Sequence, residues 1–186
     1  MDDNHYIDLE LGGDRSAFEG LVATHKNMVF SIALKILQNR EDAEEVAQDS
    51  FLKAFESLDS FAKKSKFSTW LYRIVYNTAI TKKRKKRVEF VDINDHVITN
   101  YTEDEIQEHV GQFDAEEQKM LIDKALKRLP EEDNLLITLF YKAENSVEEI
   151  RMITGLTESN IKVRLHRIRK KLYGEISEMM KYQMAI

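Results

Sequence analysis

Cysteine is absent from this chain of 186 residues, proline occurs once and glycine six times. Without thiols there is no disulfide framework, no thiolate zinc site and no anchor for a thioester lipid, and the composition fits a reducing compartment. One proline and six glycines are too few to turn the many short strands of a sandwich or barrel, which excludes an all-β fold. Long apolar runs are missing too. The most hydrophobic early stretch, MVFSIALKIL at 28–37, is broken by Ser31 and Lys35. It is too short to span a bilayer, and no signal-peptide pattern is visible, so a cytoplasmic protein without direct membrane insertion is expected. Catalytic signatures are lacking as well. There is no Gly-rich phosphate loop and no HExxH, and none of the five histidines follows a glutamate by three residues, as a di-iron bundle requires. Glu44, Glu45 and Asp49 lie within a turn of each other, but nothing completes a site. No enzyme activity, cofactor or metal is expected.

Acidic residues are missing from one stretch in particular. Net charge is −5, which argues against a nucleic-acid partner until its distribution is read. From Ser60 to Val88 there are ten basic residues and no acidic one, ending in KKRKKR at 82–87. From Val88 to Gln118 the balance inverts to ten acidic residues and no Lys or Arg. The C-terminal region is basic again. Two cationic regions flanking an acidic segment suggest two DNA-contacting modules joined by a tether.

The second cationic region, SVEEIRMITGLTESNIKVRLHRIRKK at 146–171, has the pattern of a helix-turn-helix. Ser146 stands three residues before Glu149, the capping-box spacing, and Val147, Ile150, Met152 and Ile153 supply an apolar stripe. Gly155 suits a left-handed stop, and Thr157 suits the N-cap of the next helix. On a 100° wheel Ile161, Leu165, Ile168 and Leu172 share one face. Ser159, Lys162, Val163, His166, Arg167 and Lys170 lie opposite, with Arg164, Arg169 and Lys171 on the flanks. Such a helix can enter a major groove, long donors reading base edges while the flanking cations meet phosphates. The plainer alternative is a solvated basic helix end, favoured by the macrodipole.

Upstream, helical periodicity predicts helices over 16–37, 40–57, with Asn39 as cap, and 67–85, after a loop holding Lys63, Lys64 and Lys66. These make a first domain, residues 1–87. The segment 88–115 has no sustained period and reads as an extended acidic linker. A second domain, 116–186, should hold helices over 116–128, 131–143, 147–154 and 158–179, with Pro130 and the acids after it at a helix start.

These motifs, taken in order, resemble the extracytoplasmic-function (ECF) group of bacterial sigma factors in the sigma-70 family. DAEEVAQDSFLKAFESLDSF at 42–61 resembles the segment that docks on the polymerase clamp. KFSTWLYRIVYNTA at 66–79 is similar to the promoter −10 region, and LPEEDNLLITLFY at 129–141 with the helix-turn-helix resembles the −35-binding domain. The likeness covers about 14–87 and 116–173. It implies an all-α fold of two small helical domains joined by a flexible acidic linker, and a protein that directs RNA polymerase to promoters and begins melting. It also implies partners: core RNA polymerase, through the clamp of its largest subunit and the flap of its second-largest, promoter DNA, and an anti-sigma factor, which in many members is membrane-bound.

Site residues follow. For the clamp, Asp42, Gln48, Asp49 and Lys53 would make charge-assisted bonds to an Arg-bearing helix, with Val46 and Phe51 as apolar anchors. The −10 region interleaves aromatics and cations: Phe61, Lys63, Lys66, Phe67, Trp70, Tyr72, Arg73, Tyr76, then Lys82, Lys83 and Arg84. Base-on-aromatic stacking contributes ~1–3 kcal/mol per base while cations follow the backbone. By resemblance, Asn77 and the loop 61–68, which includes Ser68, would form a pocket for a flipped base. For Trp70 and Tyr72 the alternative is core packing. For −35 the candidates are Ser159, Lys162, Val163, Arg164, His166, Arg167, Lys170 and Lys171. Two positions depart from the family pattern. Phe140 stands where many members carry arginine, so that one −35 contact is either absent or supplied by Lys142, and Val163 holds a groove-facing position that is often small and polar, where it can instead meet a thymine methyl. The rival reading is a dimeric helix-turn-helix regulator that binds duplex DNA without polymerase; it would not require the aromatic-cationic segment.

Overall fold

The computed structural model describes residues 2–87 and 115–184. Among them every element is helical: α1 (Asp3–Leu11), a 3-10 turn at Arg15–Ala17, α2 (Phe18–Leu37), α3 (Arg40–Glu56), α4 (Phe67–Arg87), α5 (Ala115–Lys127), α6 (Glu131–Ile137), α7 (Val147–Thr154) and α8 (Glu158–Met184). The stretch read as a linker lies outside the described residues apart from Ala115, which opens α5.

Local chemistry explains most boundaries. Asn39 accepts a hydrogen bond from the Asp42 backbone N–H at 2.9 Å and starts α3. Ser146 and Glu149 close a full capping box at the start of α7, and Gly155 ends it at φ 75°, where an L side chain would be strained. The Asn160 N–H reaches the Thr157 hydroxyl at 3.3 Å and opens α8. Helix α8 runs one turn or more past the expected end, to Met184.

Helices α2, α3 and α4 pack mutually around Leu21, Val29, Ile32, Val46, Ala54, Leu71 and Val75. Helices α6, α7 and α8 enclose Leu136, Leu139, Ile150, Ile153, Ile161, Leu165 and Ile168, each 2% exposed or less. The two units are not apart. Helix α7 packs on α4 and α6 packs on α2, so the apolar cores join.

Two elements differ from the sequence reading. Helix α1 buries only Ile7, too thin a stripe to register as a period, yet it is fastened to the first unit. The Asp3 carboxylate meets His25 Nε2 at 3.0 Å through both oxygens, and Tyr6 lies over Gly20, where a Cβ would come within 2.3 Å of the ring. Second, the helix expected over 131–143 is α-helical only to Ile137 and continues as a π turn over Thr138–Lys142.

Candidate nucleic-acid interface

The recognition helix matches the wheel. Ile161, Leu165 and Ile168 are buried, while Ser159, Lys162, Val163, His166, Arg167 and Lys171 are exposed and Lys170 is partly so. Val163 is 54% exposed, an apolar side chain presented to solvent among cations. Ser159, Val163, Arg164 and Arg167 line one concave surface together with Asn160, which the wheel did not single out. Arg167 makes no ion pair among the described residues. Arg164 differs: its guanidinium sits 2.7 Å from Asp133 and 3.1 Å from Glu132, at the start of α6. Burial disfavours its charge, but the two carboxylates outweigh that and raise its pKa. Phe140 packs its ring 4.9 Å from Tyr141, which is 55% exposed, and Lys142 is exposed beside them.

Helix α4 and the loop before it correct several expectations. Phe61, Phe67 and Tyr72 are 7%, 3% and 5% exposed. Phe61, Phe67 and Trp70 form one cluster with centroids 5.2–5.8 Å apart, and His25 packs on Phe67 and Tyr72. Burial, with Asp3 nearby, pushes the Tyr72 hydroxyl up to about 12. The Phe61, Phe67 and Tyr72 rings are buried and pack the loop and the helix start from within. Trp70 and Tyr76 are partly exposed. Asn77 and Arg73 are exposed and Ser68 partly so. Asn77 lines a groove of about 770 Å³ with Asp49, Lys53 and Ser57.

Four lysines of this surface are engaged. Lys63 meets Asp8 at 2.5 Å, Lys66 meets Glu149 at 3.1 Å, and Lys83 pairs with Glu131. Lys82 sits between Glu45 at 2.6 Å and Asp42 at 3.1 Å. The Glu45 bond, with Asp42 adding to it, raises the Lys82 pKa against partial burial. Glu149 serves twice. It caps α7, and its other oxygen accepts from Lys66 and, at 3.3 Å, from the Thr69 hydroxyl of α4. Burial opposes its charge, yet the Ser146 N–H and Lys66 together lower its pKa. Farther back, Lys35 donates to Asn134 at 2.6 Å across the same seam.

On α3, Gln48, Asp49 and Lys53 are exposed, as expected of a docking face. Val46 is 1% exposed and belongs to the core, and Phe51 is only partly exposed. The open apolar residue is Leu52, 56% exposed, which the amphipathic pattern had not marked. Asp42 is mostly covered, at 13% side-chain exposure, and lies 3.1 Å from Lys82. No helix among the described residues is long and apolar enough to cross a membrane.

Comparison with known proteins agrees with this layout. Residues 21–89 match the family Sigma-70 region 2, and residues 119–172 match Sigma-70, region 4. The chain is 31% identical over 175 residues to the ECF RNA polymerase sigma factor SigW of Bacillus subtilis, covering 90% of this chain and 92% of that one. It is 31% identical over 177 residues to the ECF RNA polymerase sigma-E factor of Haemophilus influenzae, with the same two coverages. Among solved structures, the sigma factor RpoE of Bartonella quintana, in complex with the anti-sigma factor NepR, aligns at TM-score 0.63 and 25% identity, over 86% of this chain and 96% of that one. CnrH, in complex with the cytosolic domain of CnrY, has the same fold at TM-score 0.63 and 23% identity, over 95% of this chain and 97% of that one.

Proposed function

The chain belongs to the ECF group of the sigma-70 family of RNA polymerase sigma factors, and from that premise we propose how its parts divide the work. It directs polymerase to promoters. Residues 1–87 bind core enzyme through α3 and start melting at −10 through α4. Residues 88–115 tether the units, and residues 116–186 read the −35 element with α8. The duplex-reading set is Ser159, Lys162, Val163, Arg164, His166, Arg167, Lys170 and Lys171, with Asn160 added. The strand-capturing set is Lys63, Lys66, Ser68, Arg73, Tyr76, Asn77, Lys82, Lys83 and Arg84, with Trp70 added and Phe61, Phe67 and Tyr72 shaping the surface from beneath. On α3 the docking contacts are Asp42, Gln48, Asp49, Phe51 and Lys53, with Leu52 replacing Val46.

The observation that carries this division is the pairing, in one chain, of an exposed cationic recognition face on α8 with an aromatic-cationic α4 packed against an acidic α3. A duplex-only regulator has no use for the second, and the family match extends over it. The protein performs no chemistry of its own and works in the cytoplasm beside polymerase. An anti-sigma partner is part of the proposal, by analogy with the Bartonella quintana RpoE–NepR complex.

Transcription of the source genome by its own core polymerase, with and without the chain, tests the reading. New transcript 5′ ends sharing −35 and −10 sequences are expected. If no new starts arise from folded, inhibitor-free protein, the reading fails.

A further inference from the structure

Helix α1, too poor in buried residues to show as a period in the sequence, reaches both ends of the loop before α4. The Asp8 carboxylate receives the Lys63 ammonium at 2.5 Å, from an element 55 residues earlier in the chain. The Asp3 carboxylate holds His25 Nε2 at 3.0 Å, and the His25 ring lies 5.5 Å from that of Phe67, where α4 begins. Between these two points Ile7 is fully buried, and α1 packs on the 3-10 turn Leu58–Ser60 that leads into the loop. Lys63 itself has a left-handed backbone, φ 53°, a conformation that costs a lysine energy and persists where its surroundings hold it. A lysine that serves only to meet DNA gains nothing from a carboxylate at its tip.

We propose that Asp8 is a positioning residue for −10 capture: through Lys63 it fixes the turn of the 61–68 loop in the shape that receives an unstacked base. Lys63 then acts as the fastening of the loop, not as a phosphate ligand. Helix α1 is the platform, locked in turn by the Asp3–His25 contact and by Tyr6 seated on Gly20. Anchoring matters because a loop free to sample several shapes must lose that freedom on binding, whereas an anchored one has lost it already and favours the base that fits its one shape. The sign of the effect separates this role from plain electrostatics. A carboxylate beside a nucleic-acid surface repels any strand, so its removal should strengthen binding to every sequence. Removal of an anchor weakens binding to the cognate sequence alone. The inference lies within the first unit and rests on the proposed assignment of −10 capture to α4 and the loop before it.

The test uses holoenzyme assembled from the full chain and core polymerase, with one single-stranded oligonucleotide carrying the −10 sequence and one of scrambled sequence. Asp8→Ala should lower the preference for the −10 oligonucleotide roughly threefold, the scale of an exposed ion pair, and leave core binding and −35 duplex binding unchanged. Lys63→Asn, whose side chain tolerates the left-handed turn but cannot reach Asp8, should lower the preference by the same factor. The double variant should lose no more than either single one, as two ends of one contact do. Lys63→Arg, which keeps charge and reach, should stay close to wild type. The salt slope should be the same in all of them. If Asp8→Ala keeps the full preference, or binds both oligonucleotides more tightly, Asp8 positions nothing and the inference falls. Additive losses in the double variant overturn it as well. A slope flattened by ~0.7 in Lys63→Asn makes Lys63 a phosphate ligand and also overturns it. If wild-type holoenzyme itself shows no preference, strand capture by this surface is wrong, and the proposed division of work fails together with the inference.

Discussion

Helices α4 and α8 are both cation-rich, and they hold their cations differently. Around α4, Lys63, Lys66, Lys82 and Lys83 pair with carboxylates from other elements: Asp8 of α1, Glu149 of α7, Asp42 and Glu45 of α3, and Glu131 of α6. Arg73, Arg84 and Lys85 of that region make no ion pair among the described residues. On α8, Lys162 has a loose contact with Glu158 one turn back, at 3.7 Å, and Arg164 is gripped by Asp133 from another helix. Arg167, Lys170 and Lys171 have no ion pair among the described residues. A sequence count of positive charge treats the two helices alike. The structure separates a surface that displays its charge from one where four lysines are paired with carboxylates.

The largest expected effect probes the support of the display helix. Leu165→Ala, at a site 1% exposed, should cost about 2–5 kcal/mol of stability by leaving a cavity under α8. Thermal unfolding would show it, together with loss of −35 duplex binding. Next comes the strand-capturing surface itself. Asn77→Ala should cost about 1–3 kcal/mol in capture of the −10 strand, the worth of one base contact, with core binding intact. Equal loss of core binding would make Asn77 a folding residue. A third change removes a cap: Ser146→Ala should lower stability by about 1 kcal/mol and loosen the entry to the helix-turn-helix. Smaller still, Arg167→Ala should flatten the salt slope of −35 duplex binding by about one unit if Arg167 meets a phosphate, or relax base preference if it reads a base.

The subtlest prediction concerns the seam between the units. Glu149→Gln keeps a residue able to complete the capping box but removes the charge that holds Lys66, so the α4–α7 contact should weaken. Because the Glu149 carboxyl is held below the usual carboxylate range, its contribution is complete above that range and is lost as pH falls through the lowered value. The absence of cysteine allows paired labels, one on α4 and one on α8, to report the distance. It should lengthen on acidification in wild type, and Glu149→Gln should begin longer and respond less.

Much of this was legible in the sequence, for identifiable reasons. The capping box at Ser146, the left-handed Gly155 and the buried face through Ile161, Leu165 and Ile168 are local or periodic features, and they stand where spacing put them. Helix α1 was not legible, because one buried side chain makes no period and its attachment depends on His25, more than a dozen residues later. The burial of the aromatic rings was not legible for a related reason. Interleaved Phe61, Phe67 and Tyr72 satisfy a stacking composition whether they face bases or each other, and only tertiary packing decides. The π turn after Ile137 and the five carboxylates that engage the lysines are likewise tertiary facts. No linear charge plot brings Glu149 to Lys66 or Glu131 to Lys83.

The division of labour between α4 and α8 is tested most directly by footprinting one cognate promoter with holoenzyme carrying Asn77→Ala or Arg167→Ala, scoring −35 backbone protection and −10 thymine reactivity in the same samples. Asn77→Ala should retain −35 protection and lose −10 reactivity, whereas Arg167→Ala should weaken −35 protection first and melting only in proportion to lost occupancy. If both variants lose both signals together, or Asn77→Ala melts the promoter normally, the two helices do not divide the work as described.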